Sequence, residues 1–508
     1  MSKLSFWRTI SLVCIFCALE VVSSPAQTFT TLYSFSGGVD GYVPDGTLVQ
    51  ATDGNFYGVT GWGGAYCHDT GELGCGTIFS ITPQGQLTTL HSFDNTDGAS
   101  PSAGLVQAAD GSFYGTTYFG GANSAGTVFN MTPGGTLTTL YSFGSVSNDG
   151  GFPQAPLVQA SDGNFYGTAS QGGLYGAGDA GTVFKITPDG TLTNLYNFCS
   201  PTNCANGNMP AAGLVQASDG NFYGTTSGGG NGGNYFLGGP RDNYCWGDCG
   251  TVFKITPDGE LTTLYNFCSQ IDCPDGEFPY AGLVQASDGN FYGTTTHGGT
   301  SANCFGIGGC GTVFKITPGG TLTTLYSFGS TDGALPEGNL VQATDGNFYG
   351  TTLMGGAGPC ASGGGWLQGC GTVFEITPAG TLTTLHSFEG NDIDDCYPGG
   401  LIQATDGNFY GTTSGGEVDA GTVFRLGVGL SPFVKTSPTS GGAGTPVTIT
   451  GNNLTGSTSV TFNGTAAAFT VVSDTAINTT VPSGATTGQL QVTTPSGTLT
   501  SNVNFQVM

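Results

Sequence analysis

Charged side chains are scarce in this sequence, and cationic ones are scarcest of all. Among 508 residues there are 8 Lys plus Arg against 34 Asp plus Glu, which gives a formal net charge of −26. Phosphate contacts require clustered Lys and Arg, so nucleic acid is not an expected partner. An acidic surface of this kind supports solubility and carries no information about the fold.

Long apolar runs are also missing, apart from one near the start of the sequence. Residues 1–26 predict a signal peptide, in which Lys3 and Arg8 precede the apolar run Ile10–Val22 and a cleavage site of small residues follows. The run is too short for a membrane anchor, and it contains Glu20. We therefore predict a mature chain without a transmembrane segment that is secreted or held at the cell surface.

Glycine is abundant, at 92 residues, and marks a module that occurs seven times. The copy Leu283–Phe328 shows its four runs: run a (LVQA), run b (NFYGTT), run c (GTVFKIT) and run d (LTTLYSF). Asp-Gly between runs a and b permits the positive φ angles of a tight hairpin, and Pro-x-Gly turns the chain between runs c and d. The copies begin at Leu48, Leu105, Leu157, Leu214, Leu283, Leu340 and Leu401.

The two ends of the repeat region predict how it is assembled. Bulky residues on both faces of each run favour sheets that are covered on both sides, as in stacked propeller blades. The seventh copy ends at Leu426 without a run d, and an isolated run d occurs at residues 29–35. An N-terminal strand that completes the last blade would remove both exposed edges. We predict an all-β fold, with a seven-bladed β-propeller over residues 27–427 that is closed by its N-terminal strand.

Sequence variation in the repeat is concentrated in two of its connections. The a–b and c–d turns are short and similar, and they would share one rim, the constant rim. The b–c loops and d–a crossings would share the other, the variable rim, where we expect ligand binding. Exposed aromatic residues there suit sugar stacking or protein contact, although packing beneath long loops is an equal alternative. The candidate ligand-binding residues are Trp62, Tyr66, Tyr118, Tyr235, Tyr244, Trp246, Phe305 and Trp366.

The cysteines of the mature chain fall almost entirely into local pairs. In an exported protein such pairs predict disulfides that staple loops, and paired zinc-type spacing is absent. Cys396 is left over as a free thiol, a partner in a non-local bond or an intermolecular link. The predicted disulfides are Cys67–Cys75, Cys199–Cys204, Cys245–Cys249, Cys268–Cys273, Cys304–Cys310 and Cys360–Cys370.

The d–a crossings repeat the phrase Asp-Gly-x-x-Pro. A ring of these Asp residues could bind Ca²⁺, but a crossing shaped by Asp-Gly and Pro needs only one Asp per turn and is the favoured interpretation. The best local calcium candidate is the segment with Asp392, Asp394 and Asp395. No cofactor is predicted beyond this weak possibility.

Catalytic motifs are sparse. His91 and His386 replace the Tyr of run d and are interpreted as structural, whereas His68 and His297 lie in b–c loops. A polysaccharide-active hydrolase or lyase is an alternative function, using such a His or a pair of rim carboxylates. A structural surface-layer element is the second alternative. The rim carboxylates are Asp69, Glu72, Asp179, Asp242, Asp248, Glu417 and Asp419.

After a linker at residues 428–432 the pattern changes to short alternating strands, which predict a small β-sandwich over residues 433–508. Its phrases GTPVTITGNNL and VPSGATTGQLQVTTPSG resemble the immunoglobulin-like IPT/TIG family, which implies a spacer or binding module. The phrases DGNFYGTT and GTVFKITPGGTLTTLYSF resemble the GloVer tandem repeat of choice-of-anchor bacterial surface proteins, over residues 28–426. That resemblance implies no catalytic residues. The predicted function is recognition of a glycan or protein by the b–c and d–a loops.

Overall fold

The structure is a computed structural model of the chain. It describes residues 27–66, 74–174, 180–199, 204–230, 249–270, 272–301, 304, 308–358, 369–390, 395–415 and 420–508. The predicted signal peptide lies outside these residues. Within them the chain is all-β, with no helix of the length and apolarity that crossing a membrane requires.

The strand β1 (Thr28–Ser34) precedes seven four-stranded antiparallel sheets that follow the repeat. Blade 1 contains β2 (Val49–Gln50), β3 (Phe56–Thr60), β4 (Thr77–Ile81) and β5 (Leu87–Ser92). Blade 2 contains β6 (Val106–Gln107), β7 (Phe113–Thr117), β8 (Thr127–Met131) and β9 (Leu137–Ser142). Blade 3 contains β10 (Val158–Gln159), β11 (Phe165–Ala169), β12 (Thr182–Ile186) and β13 (Leu192–Asn197).

The later blades have the same arrangement. Blade 4 contains β14 (Val215–Gln216), β15 (Phe222–Thr226), β16 (Thr251–Ile255) and β17 (Leu261–Asn266). Blade 5 contains β18 (Val284–Gln285), β19 (Phe291–Thr295), β20 (Thr312–Ile316) and β21 (Leu322–Ser327). Blade 6 contains β22 (Val341–Gln342), β23 (Phe348–Thr352), β24 (Thr372–Ile376) and β25 (Leu382–Ser387). Blade 7 contains β26 (Pro398–Gln403), β27 (Phe409–Thr413) and β28 (Thr422–Gly427), and it takes β1 as its fourth strand.

The seven-bladed, all-β prediction is thus confirmed, and the isolated N-terminal run d has the predicted place. β1 pairs antiparallel with β28, from Thr28 opposite Gly427 to Ser34 opposite Thr422. Phe29 of β1 stacks on His386 of blade 6, with ring centroids 4.0 Å apart. The strand therefore contributes both backbone pairing and core packing.

A polar lock holds the a–b hairpin in six of the seven blades. In blade 5, Asp288 accepts hydrogen bonds from the Asn290 backbone N–H (3.0 Å), the Tyr292 hydroxyl (2.9 Å) and the Lys315 ammonium (2.8 Å). These bonds and the ion pair hold the pKa of Asp288 well below its usual range, against the opposing effect of burial. The repeated DGNFY phrase therefore specifies the hairpin.

Neighbouring blades are joined by a repeated aromatic stack. The Tyr of strand b packs on the Phe of the next blade's strand b, for example Tyr292 on Phe348 at 4.0 Å between ring centroids. Blade 7 meets blade 1 through the same contact, Tyr410 on Phe56, also at 4.0 Å. In addition, the Thr405 backbone N–H donates to Gln50 Oε1 (2.9 Å), as the equivalent groups do at other blade boundaries.

The C-terminal segment forms two sheets around one apolar core. One sheet contains β29 (Lys435–Ser437), β31 (Pro446–Thr450), β34 (Phe469–Val471) and β35 (Ala476–Thr480). The other contains β30 (Ser440–Gly441), β32 (Ser459–Phe462), β33 (Thr465–Ala466), β36 (Gly488–Thr494) and β37 (Gly497–Val507). The segment contacts the constant rim, where the Thr475 hydroxyl donates to Thr52 O (2.8 Å) and Lys435 Nζ donates to Gln403 O (2.6 Å). The segment therefore packs on the constant rim.

Candidate functional site

In every d–a crossing on the variable rim, the residue immediately before the crossing Pro is not a glycine, yet its backbone has the positive φ of the left-handed region. Such a backbone is strained unless its surroundings fix it. In the crossing to blade 5, the Phe278 N–H donates to Cys249 O of blade 4 (3.0 Å), and the Thr296 N–H donates to Phe278 O (3.0 Å). These two bonds join adjacent blades and hold the conformation. The residues are Val43 (φ 58°), Ser100 (51°), Phe152 (56°), Met209 (51°), Phe278 (54°), Leu335 (56°) and Tyr397 (60°).

The crossing Asp residues support the fold, as the favoured interpretation of the Asp-Gly-x-x-Pro phrase predicted. Asp149 accepts from the Tyr141 hydroxyl (2.8 Å) and from the Ser145 N–H (3.0 Å). His91, which replaces the Tyr of run d, makes the same contact to Asp97 at 2.7 Å. Of the three residues proposed for a calcium site, Asp392 and Asp394 lie outside the described residues. The third, Asp395, accepts a hydrogen bond from the Cys396 N–H at Oδ1.

Side chains immediately after the crossing Pro surround the opening between the inner edges of the blades, which we call the mouth. Strand a is at the inner edge, because the residues just before it touch those of the next blade: a Cβ on Gly104 would lie 2.6 Å from Thr47 O. In blade 1, Pro44 and Gly46 are buried while Asp45 between them is exposed. The mouth residues are Asp45, Ser102, Gln154, Ala211, Tyr280 and Glu337, from blades 1 to 6.

Blade 7 contributes no mouth residue. Only two residues separate Pro398 from Leu401, whereas three separate the crossing Pro from the Leu of run a in the other blades. Gly399 takes the place of the second residue after Pro, because the Thr351 hydroxyl donates to Gly399 O (2.7 Å) as Thr225 donates to Ala281 O (3.1 Å). The wall of the mouth therefore has a gap, which we call the notch, between Glu337 of blade 6 and Asp45 of blade 1.

The two carboxyl groups that flank the notch, those of Asp45 and Glu337, have raised pKa values. Desolvation raises the pKa of Asp45 to about 6. Desolvation, and secondly the charge of Asp45, raise the pKa of Glu337 to about 7. Both side chains keep exposed surface, as expected for groups on the wall of a narrow opening that contact water on one side only. Tyr280 is 39% exposed, and its pKa is raised by burial and by the charge of Glu337.

Three of the eight predicted aromatic residues are described. Trp62 is half-buried and pairs through its backbone with Tyr42 of the crossing (2.8 Å), while Tyr66 is 54% exposed. Tyr118 packs against Phe152, with ring centroids 5.4 Å apart, so the structure connects it to a crossing residue that the sequence did not single out. Tyr235, Tyr244, Trp246, Phe305 and Trp366 lie outside the described residues.

Three of the six predicted disulfides are present in the structure. Bonds link Cys199 to Cys204, Cys268 to Cys273 and Cys304 to Cys310. Cys75 and Cys249 are also disulfide-bonded, and their predicted partners Cys67 and Cys245 lie outside the described residues.

Cys370 bonds to Cys396, with Cα atoms 4.7 Å apart, and Cys360, its predicted partner, lies outside the described residues. The physical reason is the blade-to-blade hydrogen bond of this crossing: the Tyr397 N–H donates to Cys370 O (3.0 Å) and so brings the preceding residue, Cys396, beside Cys370. Spacing along the sequence could not show this contact between elements. Cys396 thus takes part in a non-local bond, one of the three alternatives.

Among the described residues, one cluster has metal-ligand residue types, namely Cys249, Cys268, Cys273 and Glu277, with ligand atoms within 4.8 Å of one another. All three sulfurs belong to disulfides and lack the thiolate that binds zinc. The neighbouring His297 is half-buried, and desolvation lowers its pKa. The other predicted acid–base candidates, His68, Asp69, Glu72, Asp179, Asp242, Asp248, Glu417 and Asp419, lie outside the described residues.

A second concavity lies at the constant rim, between the propeller and the C-terminal segment. It has a volume of about 580 Å³. Its lining residues include Gln50, Phe56, Asp406, Tyr410, Arg425, Asn452 and Asp474. It provides a comparison site for experiments on the mouth.

Several known structures resemble this chain at low sequence identity. A fungal alcohol oxidase of the AA5 family, in complex with copper, aligns over 95% of this chain and 98% of its own, with a TM-score of 0.50 and 16% identity, which shows a shared fold. The extracellular domains of two proteins of B. thetaiotaomicron described as hybrid two-component systems align over 94% and 96% of this chain and 57% and 60% of theirs. Both have a TM-score of 0.47, with identities of 10% and 11%.

No curated protein matches the sequence. The profile of the Gloeobacter/Verrucomicrobia repeat family matches residues 65–239 and 236–472, which confirms the resemblance drawn from the repeat phrases. The chain belongs to the Gloeobacter/Verrucomicrobia repeat family.

Proposed function

We propose that this chain is an exported binding protein that recognises a glycan or a surface protein at the mouth of the variable rim. The observation that carries the proposal is the crossing itself. All seven crossings have the same strained backbone conformation, and two hydrogen bonds hold it in each of them. The side chain that follows the crossing Pro differs from blade to blade. Variable side chains on a rigid frame are typical of recognition surfaces.

We further infer that the seven blades form one closed ring. Blade 7 contacts blade 1 through the Tyr410–Phe56 stack and the bond between Thr405 and Gln50, which are the contacts that other neighbouring blades make. Closure gives every blade two neighbouring blades, so that no blade face is left uncovered. It also defines a single mouth.

We also propose that the chain is exported and that its C-terminal segment acts as a spacer. Disulfides favour an oxidising compartment, which agrees with a signal peptide at residues 1–26. The proposed mature units are the propeller at residues 27–427, a linker at 428–432 and an IPT/TIG-like sandwich at 433–508. Because the latter contacts the constant rim, it suits a spacer that presents the mouth outward.

Tyr280→Ala tests the site. On an array of glycans and bacterial surface proteins, the wild type should bind a defined set, and the variant should bind that set about tenfold more weakly, since an exposed stacking ring is lost. Val472→Ala is the control, because Val472 is an exposed apolar residue of the C-terminal segment, 59% accessible. Equal binding by Tyr280→Ala and wild type would contradict a ligand site at the mouth.

A polysaccharide-active enzyme is the second candidate. The observation that favours it is the presence of two carboxyl groups with raised pKa values, Asp45 and Glu337, at one opening. A protonated and an ionised carboxyl group are the requirements of glycoside hydrolysis. We place binding first, because most of the side chains that follow the crossing Pro are neutral, such as Ser102, Gln154 and Tyr280.

A further inference from the structure

We propose that the notch between Asp45 and Glu337 binds a protonated amino group, and that the ligand is a glycan with free amino groups, such as an oligomer of unacetylated glucosamine. This inference rests on the proposed function and narrows its ligand. Four observations support it: the gap in the wall, an unpartnered hydroxyl beside the gap, the charge of the rim and the chemistry of the neighbouring mouth residues.

The gap results from a deletion rather than from a small side chain. Blade 7 lacks the residue that follows the crossing Pro elsewhere, and the two residues that remain are Gly399 and Gly400. Strand β26 begins at Pro398 itself, which pairs with Thr413, so the inner edge of blade 7 is drawn into the sheet. Asp45 and Glu337 therefore flank an unfilled position, and the charge of Asp45 helps to raise the pKa of Glu337.

The floor of the notch holds a polar group without a partner. In blades 2 to 6 the equivalent Thr of strand b donates its hydroxyl to a carbonyl of the next crossing, as Thr294 does to Pro336 O (3.3 Å). Thr412 in blade 7 is 1% exposed, and its hydroxyl has no hydrogen-bond partner. A Cβ on Gly399 would lie 3.1 Å from that oxygen. A buried hydroxyl without a partner costs free energy, and a donor that enters beside Gly399 would satisfy it.

No described cation neutralises the two carboxylates. All five described Lys and Arg side chains lie at the constant rim. Lys185, Lys254 and Lys315 pair with hairpin Asp residues, Lys435 donates to Gln403 O, and Arg425 lies beside Tyr410. A ligand that carries an ammonium group would supply the missing charge, and an ammonium between two carboxylates forms charge-assisted hydrogen bonds.

The remaining mouth residues favour a sugar as the carrier of the amine. Tyr280 lies next to Glu337 in the ring of mouth residues and has an accessible face on which a pyranose ring can stack. Ser102 and Gln154 add a hydroxyl and an amide, which suit sugar hydroxyls. A lysine side chain of a protein ligand would bind the two carboxylates but would leave the ring, hydroxyl and amide of the other mouth residues without a partner.

Titration calorimetry on the full mature chain tests the inference with three probes of equal length: a glucosamine oligosaccharide, its N-acetylated form and a glucose oligosaccharide. The glucosamine oligosaccharide should bind best, with an affinity that falls as salt is added. Asp45→Asn and Glu337→Gln should each weaken its binding at least about tenfold. Glu260→Gln, an exposed acid on a constant-rim turn, is the matched control and should leave binding unchanged.

The outcomes separate this inference from the proposed function. Equal binding of the acetylated and unacetylated probes, or binding that survives in Asp45→Asn and Glu337→Gln, would overturn the amine site and leave a glycan-binding mouth intact. A lysine-rich peptide is the fourth probe, and its binding in place of the sugar would overturn the glycan assignment. Loss of array binding in the Tyr280→Ala variant, measured separately, addresses the proposed function.

Discussion

A chain that begins at Ser36, and therefore lacks β1, is expected to lose cooperative unfolding. Removal exposes β28 and takes away the side chains of Phe29, Leu32, Tyr33 and Phe35, which pack in the cores that join blade 7 to its two neighbours. At about 2 kcal/mol for each side chain, the loss is on the order of 8 kcal/mol, comparable with the whole stability of a typical domain. Circular dichroism melting and urea titration measure the effect.

Two further proteins make this test specific. A synthetic peptide of residues 27–35 added to the truncated chain should restore the transition by pairing with β28. In the full chain, Phe29→Ala should cost about 3–4 kcal/mol, whereas Ser34→Ala, at an exposed position on the same strand, should be neutral. A truncated chain that melts within a few degrees of the full one would show that the ring does not depend on its N-terminal strand.

Gly311→Ala is the second substitution with a large expected effect. Gly311 is the first residue of run c in blade 5 and has a φ of +96°, and a Cβ there would lie 2.6 Å from Pro336 Cδ and 2.8 Å from Thr296 O. The proline ring and the backbone cannot yield without shifting the crossing. We therefore expect a cost of about 3–4 kcal/mol, from backbone strain and overpacking together.

Gly289→Ala in the same blade is the matched control for this experiment. Gly289 has a φ of +80°, but nothing lies within 4 Å of its Cβ position, so the cost should be about 1 kcal/mol from backbone strain alone. Urea midpoints of both variants measure the difference. Equal costs would mean that the crossing Pro does not lock against the neighbouring blade.

Repetition made most of the fold predictable from the sequence. The hairpin lock could be read from DGNFY, because an Asp that tolerates the turn is followed at fixed spacing by the Asn and Tyr that bond to it. The role of residues 29–35 followed from counting runs. The Cys199–Cys204 and Cys268–Cys273 bonds followed from spacing, since both close within a single loop.

The candidate site was less predictable, because it depends on which side chain of a crossing faces the opening. Asp45 and Glu337 lie far apart in sequence and come together only through the arrangement of the blades. The aromatic residues of the loops are easier to identify from the sequence. One of them, Tyr118, packs on Phe152 in the structure. The sequence does carry one signal of the notch. Two residues separate Pro398 from the Leu of run a, whereas three separate every other crossing Pro from that Leu.

Hydrogen–deuterium exchange, with and without the glycan or protein that binds most tightly on the array, tests the central claim that the ligand binds at the mouth. The account predicts slower exchange in the crossings that carry Asp45, Tyr280 and Glu337, and unchanged exchange at the constant rim. Protection confined to the groove lined by Phe56, Arg425 and Asn452 would contradict it and would place binding between the propeller and the C-terminal segment.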